Sequence, residues 1–72
     1  MPSPAASLGL TRREAEVLGL VAKGRTNQQI GQELFITQGT AGVHVSRILT
    51  KLGVASRLEA AAIAHRLDLD KD

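Results

Sequence analysis

Cysteine, tryptophan and tyrosine are absent from this 72-residue chain, and phenylalanine occurs once. Without cysteine there is no disulfide framework and no thiolate metal site. That absence fits a reducing compartment, so a cytoplasmic location is expected. Without aromatics the core must be built from Leu, Ile, Val and Ala, which favours short packed helices over an aromatic-rich β sandwich. Long apolar runs are missing too. The longest small-apolar run, residues 60–64, falls far short of the ~20 needed to span a membrane. The start, Met1-Pro2-Ser3-Pro4, has neither the basic beginning nor the apolar stretch of a signal peptide. Residues 1–9 read as a linker.

Catalytic groupings are equally scarce. His44 and His65 are far apart, and without cysteine they give no zinc signature. No Ser-His-Asp set, paired catalytic carboxylates or glycine-rich phosphate loop is present. Neither an enzyme nor a cofactor is expected. His44, beside an apolar stripe, is expected to be part-buried and bonded to backbone.

What is present is a modest positive charge, unevenly placed. The net charge is +2, and residues 68–72 hold three acids and one lysine. Without that acidic tail, eight basic residues face four acidic ones. Such an excess suits a polyanion, though many proteins that bind none share it.

The helix starts are written as caps. Thr11 and Glu14, Thr26 and Gln29, and Ser56 and Glu59 each have the spacing of a capping box. In that device two side chains satisfy two orphan amides. Thr37 opens another segment with Thr40 in place of an acid, a simpler hydroxyl cap. Gly24 and Gly53 supply stops, with Lys23 and Lys51 just before them, where the helix dipole favours a cation. Helices are predicted near 12–23, 27–34, 38–52 and 57–67. Apolar residues recur at helical spacing: Ala15, Leu18, Val21 and Ala22; Ile30 and Leu34; Ala41, Val45, Ile48, Leu49 and Leu52; Leu58, Ala61, Ala62 and Leu67. The predicted fold is therefore all-α, a four-helix bundle over residues 10–67.

Only Phe35-Ile36-Thr37 separates the second and third helices. A link this short forces a sharp crossing, as in a helix-turn-helix, and Gly31 would let the two axes approach closely. Periodicity alone does not separate this from a plain αα-hairpin. The third helix carries Gly39, Gly42, Val43, Ser46, Arg47 and Thr50 opposite its apolar stripe. Small, polar and basic groups on one face suit the major groove, where Arg47 can fork onto guanine and Val43 can touch a thymine methyl. Gln38, Thr40 and Ser46 complete the expected base-facing or groove-facing set. A solvated surface would look similar, but two exposed glycines cost helix stability, roughly 1 kcal/mol each.

The run Leu10-Thr11-Arg12-Arg13-Glu14 with Glu16-Val17-Leu18 resembles the opening of the LuxR/GerE-type helix-turn-helix family. So do Gly24-x-Thr26-Asn27-x-x-Ile30-Gly31-x-x-Leu34-Phe35-Ile36-Thr37, then Thr40-x-x-Val43-His44, Ile48-Leu49-x-Lys51-Leu52-Gly53-Val54 and Ser56-Arg57-x-Glu59-Ala60. A sigma-factor region 4 shares the opening, but the KLGV-like segment and the helix after it favour the LuxR type. The resemblance implies a third helix in the major groove of double-stranded DNA. It also implies dimers on DNA through the fourth helix, where Glu59, Ala60, Ile63 and Ala64 are the expected contacts. A sensor, receiver or ATPase domain would stand upstream in a larger bacterial regulator. Phosphate contacts are expected from Arg25, Thr26, Asn27, Thr37, Thr50 and Lys51. The sequence departs from the family pattern on the reading face. Gly39 stands before the recognition Thr40, Ala41-Gly42 replaces Val-Lys, Ser46 takes a commonly basic position, and Gln29 replaces an acid.

Overall fold

Each helix begins where a hydroxyl satisfies a free amide. In the computed structural model, which describes residues 8–67, four helices run Arg12–Ala22 (α1), Asn27–Leu34 (α2), Gln38–Leu52 (α3) and Arg57–Arg66 (α4). Among the described residues there is no strand. Residues 1–7 and 68–72 lie outside the described part, and with them most of the expected linker and the acidic tail. Leu8, expected in the linker, instead packs against the core beside buried Leu10.

Thr11 and Thr26 form complete capping boxes with Glu14 and Gln29. Thr37 caps α3 by accepting from the Thr40 amide at 3.0 Å. The third expected box closes differently. Ser56 accepts from the Glu59 amide at 3.3 Å, but the Glu59 carboxylate accepts from the Ala55 amide at 2.9 Å. The carboxylate thus reaches one residue beyond the cap. At the other ends, Gly24 and Gly53 adopt left-handed φ values of 82° and 68°, as the sequence anticipates.

α1 packs chiefly on α4, and α2 on α3. The core between them is aliphatic: Val17, Leu18, Ile30, Ala41, Ile48, Ala60 and Ala64 are all at most 1% exposed. Such small side chains stabilise only if the helices come close, and Gly31 shows how close. A Cβ placed there would lie 2.6 Å from the Ile36 carbonyl oxygen. The turn between α2 and α3 therefore lies directly on the Gly31 backbone, which fixes the sharp crossing. Phe35 ends α2 in a left-handed conformation, φ 59° and ψ 42°. That region costs a non-glycine residue ~1 kcal/mol. Its amide and that of Ile36 both point back to the Gly31 carbonyl.

Two expectations need correction. The apolar stripe of α4 is out of phase: Leu58 is 83% exposed and Ala62 is exposed, whereas Ala60 and Ala64 fill the core. Seven residues, 58 and 60–64 with 67, are apolar on every side of this helix, so periodicity cannot select the buried face. His44 is half-buried, but its Nδ1 has no hydrogen-bond partner among the described residues.

Two substitutions test this packing. Gly31→Leu should lower stability by at least ~2 kcal/mol through backbone overlap, measured by urea denaturation. Ala64→Glu should cost ~3 kcal/mol or more by burying a charge. Leu58→Glu, on the same helix, should change stability by under ~0.5 kcal/mol. Equal effects of the two on the thermal midpoint would contradict the observed phase of α4.

Candidate nucleic-acid interface

α3 turns Ala41, Val45 and Ile48 into the core, so its opposite face is fixed outward. Gln38, Gly39, Thr40, Val43, Ser46 and Arg47 are exposed, and Gly42 is half-buried. The structure thus keeps the whole expected reading set on one helix and out of the core. Thr40 Oγ1 accepts a 2.9 Å bond from Thr37 Oγ1, which leaves the Thr40 proton available. Thr50 turns its hydroxyl back onto the Ser46 carbonyl at 3.1 Å. Among the described residues Arg47 makes no side-chain hydrogen bond or ion pair, so its guanidinium is unengaged. A shallow depression along the helix is lined by Ser46, Arg47, Thr50 and Lys51. The two glycines have room. A Cβ on Gly39 would find only Thr37 Oγ1 at 3.9 Å, and one on Gly42 only Asn27 Nδ2 at 3.4 Å.

That last contact places the start of α2 beside the reading face. The cap Thr26 is exposed and Asn27 half-buried. A helix start presents free N–H groups and the positive end of the dipole, suited to a phosphate. Arg25 stands just before it, with Nε 3.4 Å from Glu33 Oε2. Both side chains there are about 40% exposed (40% and 43%), so the pair is a weak one that a phosphate can replace.

Lys51, expected to meet a phosphate, is engaged elsewhere. Its Nζ donates to Glu14 Oε1 at 2.6 Å. Glu14 is 4% exposed, and the same oxygen also accepts from the Thr11 amide at 2.9 Å. A buried carboxylate requires such partners. The bonds from Lys51 and Thr11 hold its pKa below the ordinary glutamate value of 4.5, against the opposing effect of burial. Lys51 therefore ties α3 to the cap of α1.

The expected dimer contacts divide. Glu59 is exposed and Ile63 half-buried, but Ala60 and Ala64 lie in the core and are closed to a partner. The exposed apolar residues on the outer side of α4 are Leu58 and Ala62.

Residues 8–64 match the family described as bacterial regulatory proteins, luxR family. The chain belongs to that family. Over 57 residues it is 54% identical to the transcriptional regulatory protein LiaR of Bacillus subtilis, covering 79% of this chain and 27% of LiaR. It is 44% identical over 59 residues to the DNA-binding transcriptional activator DevR/DosR of Mycobacterium tuberculosis, covering 82% of this chain and 27% of that protein. Over 57 residues it is 44% identical to the nitrate/nitrite response regulator protein NarL of Escherichia coli, covering 79% and 26%. The chain thus spans about a quarter of the length of these regulators. It is a luxR-family DNA-binding domain, and its relatives are transcriptional regulators. Among the described residues no helix is long and apolar enough to cross a membrane.

Two groups in this luxR-family domain escaped the sequence reading. Glu14 and Lys51 are separated by 37 positions, and Arg57 and Asn27 by 30. Nothing in local spacing reports such pairs. Glu14 and Lys51 already had local roles, as a cap partner and a helix-end charge, which concealed the distant one.

Because folding lowers the Glu14 pKa, its contribution to stability is full above 4.5. It is lost as pH falls through the lowered folded-state value. Glu14→Gln should cost about 1–2 kcal/mol at neutral pH. Urea denaturation between about pH 6 and pH 3 should show a smaller acid loss for this variant than for the parent. Parallel curves would show that Glu14 carries no such contribution.

Proposed function

We propose that α3 docks in the major groove of double-stranded DNA and reads sequence there, as the output unit of a larger bacterial transcription regulator. The outward placement of seven small, polar or basic residues on α3, with the start of α2 beside them, carries this reading. Arg47 forks onto a guanine edge. Gln38, Thr40, Val43 and Ser46 contact bases or line the groove, and Gly39 and Gly42 let the backbone approach. Arg25, Thr26, Asn27 and Thr37 hold the flanking phosphates, with Thr50 near the far end of α3. Lys51 braces α3 rather than meeting a phosphate, because Glu14 holds it.

Two copies bind inverted half-sites through the outer side of α4, where Leu58, Glu59, Ala62 and Ile63 are accessible to some degree. The rest of the regulator, a sensor, receiver or ATPase part, controls that pairing. The site of action is the bacterial cytoplasm, where the DNA lies. With glycine at 39 and 42 and serine at 46, few cations neutralise phosphates, so binding by one isolated domain is weak and only modestly sensitive to salt.

Selection of bound duplexes from a random pool, followed by fluorescence anisotropy, tests this reading. Arg47→Ala should weaken binding to the selected duplex about tenfold more than binding to random DNA. Gly42→Lys fits without displacing backbone, so it should tighten binding to both and steepen the salt dependence by about one counterion. If both variants bind like the parent, α3 is not the reading helix.

A further inference from the structure

An asparagine side chain offers an acceptor at one end of its amide and donors at the other. Which end faces a ligand is decided by whatever holds the first end. At Asn27 that partner is Arg57. The Arg57 Nη1 donates to Asn27 Oδ1 at 2.6 Å, and its Nη2 donates to the Arg25 carbonyl at 2.8 Å. The two bonds bracket the cap residue Thr26. They reach from the first residue of α4 to the start of α2, across a surface depression also lined by Thr26 and Gln38.

We propose that Arg57 is a positioning residue for DNA binding: by holding Asn27 Oδ1 it turns Asn27 Nδ2 outward as a phosphate donor beside the reading helix. The inference rests on the DNA reading above. A guanidinium is always charged and its fork fits two acceptors at once, so the bond to Oδ1 is a strong one that only this amide orientation permits. The donor end then lies where the reading helix passes, 3.4 Å from the position of a Cβ on Gly42. A phosphate that bridges the free amides of α2 and Asn27 Nδ2 lies against the seam between α2 and α3. Arg57 itself is half-buried, with both terminal nitrogens occupied. These bonds use two of its five N–H donors, so whether it also meets a phosphate directly is decided by the salt dependence below.

A double-mutant cycle on the full chain separates these roles. Binding of a mixed-sequence DNA duplex is followed by fluorescence anisotropy over a range of salt. Asn27→Ala and Arg57→Ala should each weaken binding about tenfold, and the double variant should lose about tenfold rather than a hundredfold. The salt dependence of Arg57→Ala should match the parent, because no phosphate contact of its own is lost. Arg57→Lys keeps the charge but cannot hold both acceptors, so it should restore binding only in part. Losses that multiply, a salt dependence flattened by about one counterion, or full recovery with lysine would each overturn the proposal.

If Arg57→Ala does not fold, Arg57→Lys and Asn27→Asp carry the test. An aspartate keeps the bond to Arg57 and removes the donor, so it should retain the thermal midpoint and lose at least about tenfold in binding. Binding by Asn27→Asp equal to that of the parent would also overturn the proposal. A parent chain that binds no duplex refutes the DNA reading itself. Binding with multiplying losses refutes only the role of Arg57.

Discussion

A carboxylate that is 4% exposed must be surrounded by donors or it will not stay ionised. Glu14 meets that demand with the Thr11 amide and the Lys51 ammonium. One bond closes the first turn of α1, and the other fixes the far end of α3. The reading helix is therefore held at two places. Its N-terminal half lies against α2 through the bare backbone at Gly31, and its C-terminal end is tied to α1 through Lys51. The aliphatic core between these points is made of small side chains. It supplies burial, while the two polar and steric constraints supply direction.

Local rules were legible in the sequence wherever the cause was local. Capping hydroxyls at Thr11, Thr26, Thr37 and Ser56, and glycines at 24 and 53, marked helix ends that the structure reproduces to within a residue or so. The outward face of α3 followed from the inward stripe of Ala41, Val45 and Ile48. α4 was legible as a helix but not in its rotation. Ala60, Ala62 and Ala64 are chemically alike, and the packing of α4 on α1 and α3 decides which of them is covered. The roles of Lys51 and Arg57 were hidden because their partners are distant in sequence, Glu14 and Asn27. A lysine near a helix end has a sufficient local explanation in the dipole, and that explanation obscured the ion pair.

The cations of this surface are mostly committed. Lys51 is held by Glu14, Arg25 leans on Glu33, and Arg57 spans Asn27 and the Arg25 carbonyl. Arg47 is left open on the reading helix. The surface thus holds few uncommitted cations and several side chains fixed in place by partners within the domain. α4, far from the reading face in sequence, still shapes it through one guanidinium. The same helix presents Leu58 to solvent, so an exposed apolar side chain and the guanidinium that braces the start of α2 stand at adjacent residues.

The glycines at 39 and 42 leave the outer face of α3 without side chains, and a Cβ at either would meet only one side-chain atom, Thr37 Oγ1 at 3.9 Å or Asn27 Nδ2 at 3.4 Å. Neither position supports the core, the caps or the turn. New side chains can therefore be added there without renegotiating the scaffold. In evolutionary terms the address and the envelope are separable: side chains can be gained at these two outward sites by small steps while the rest of the domain stays the same.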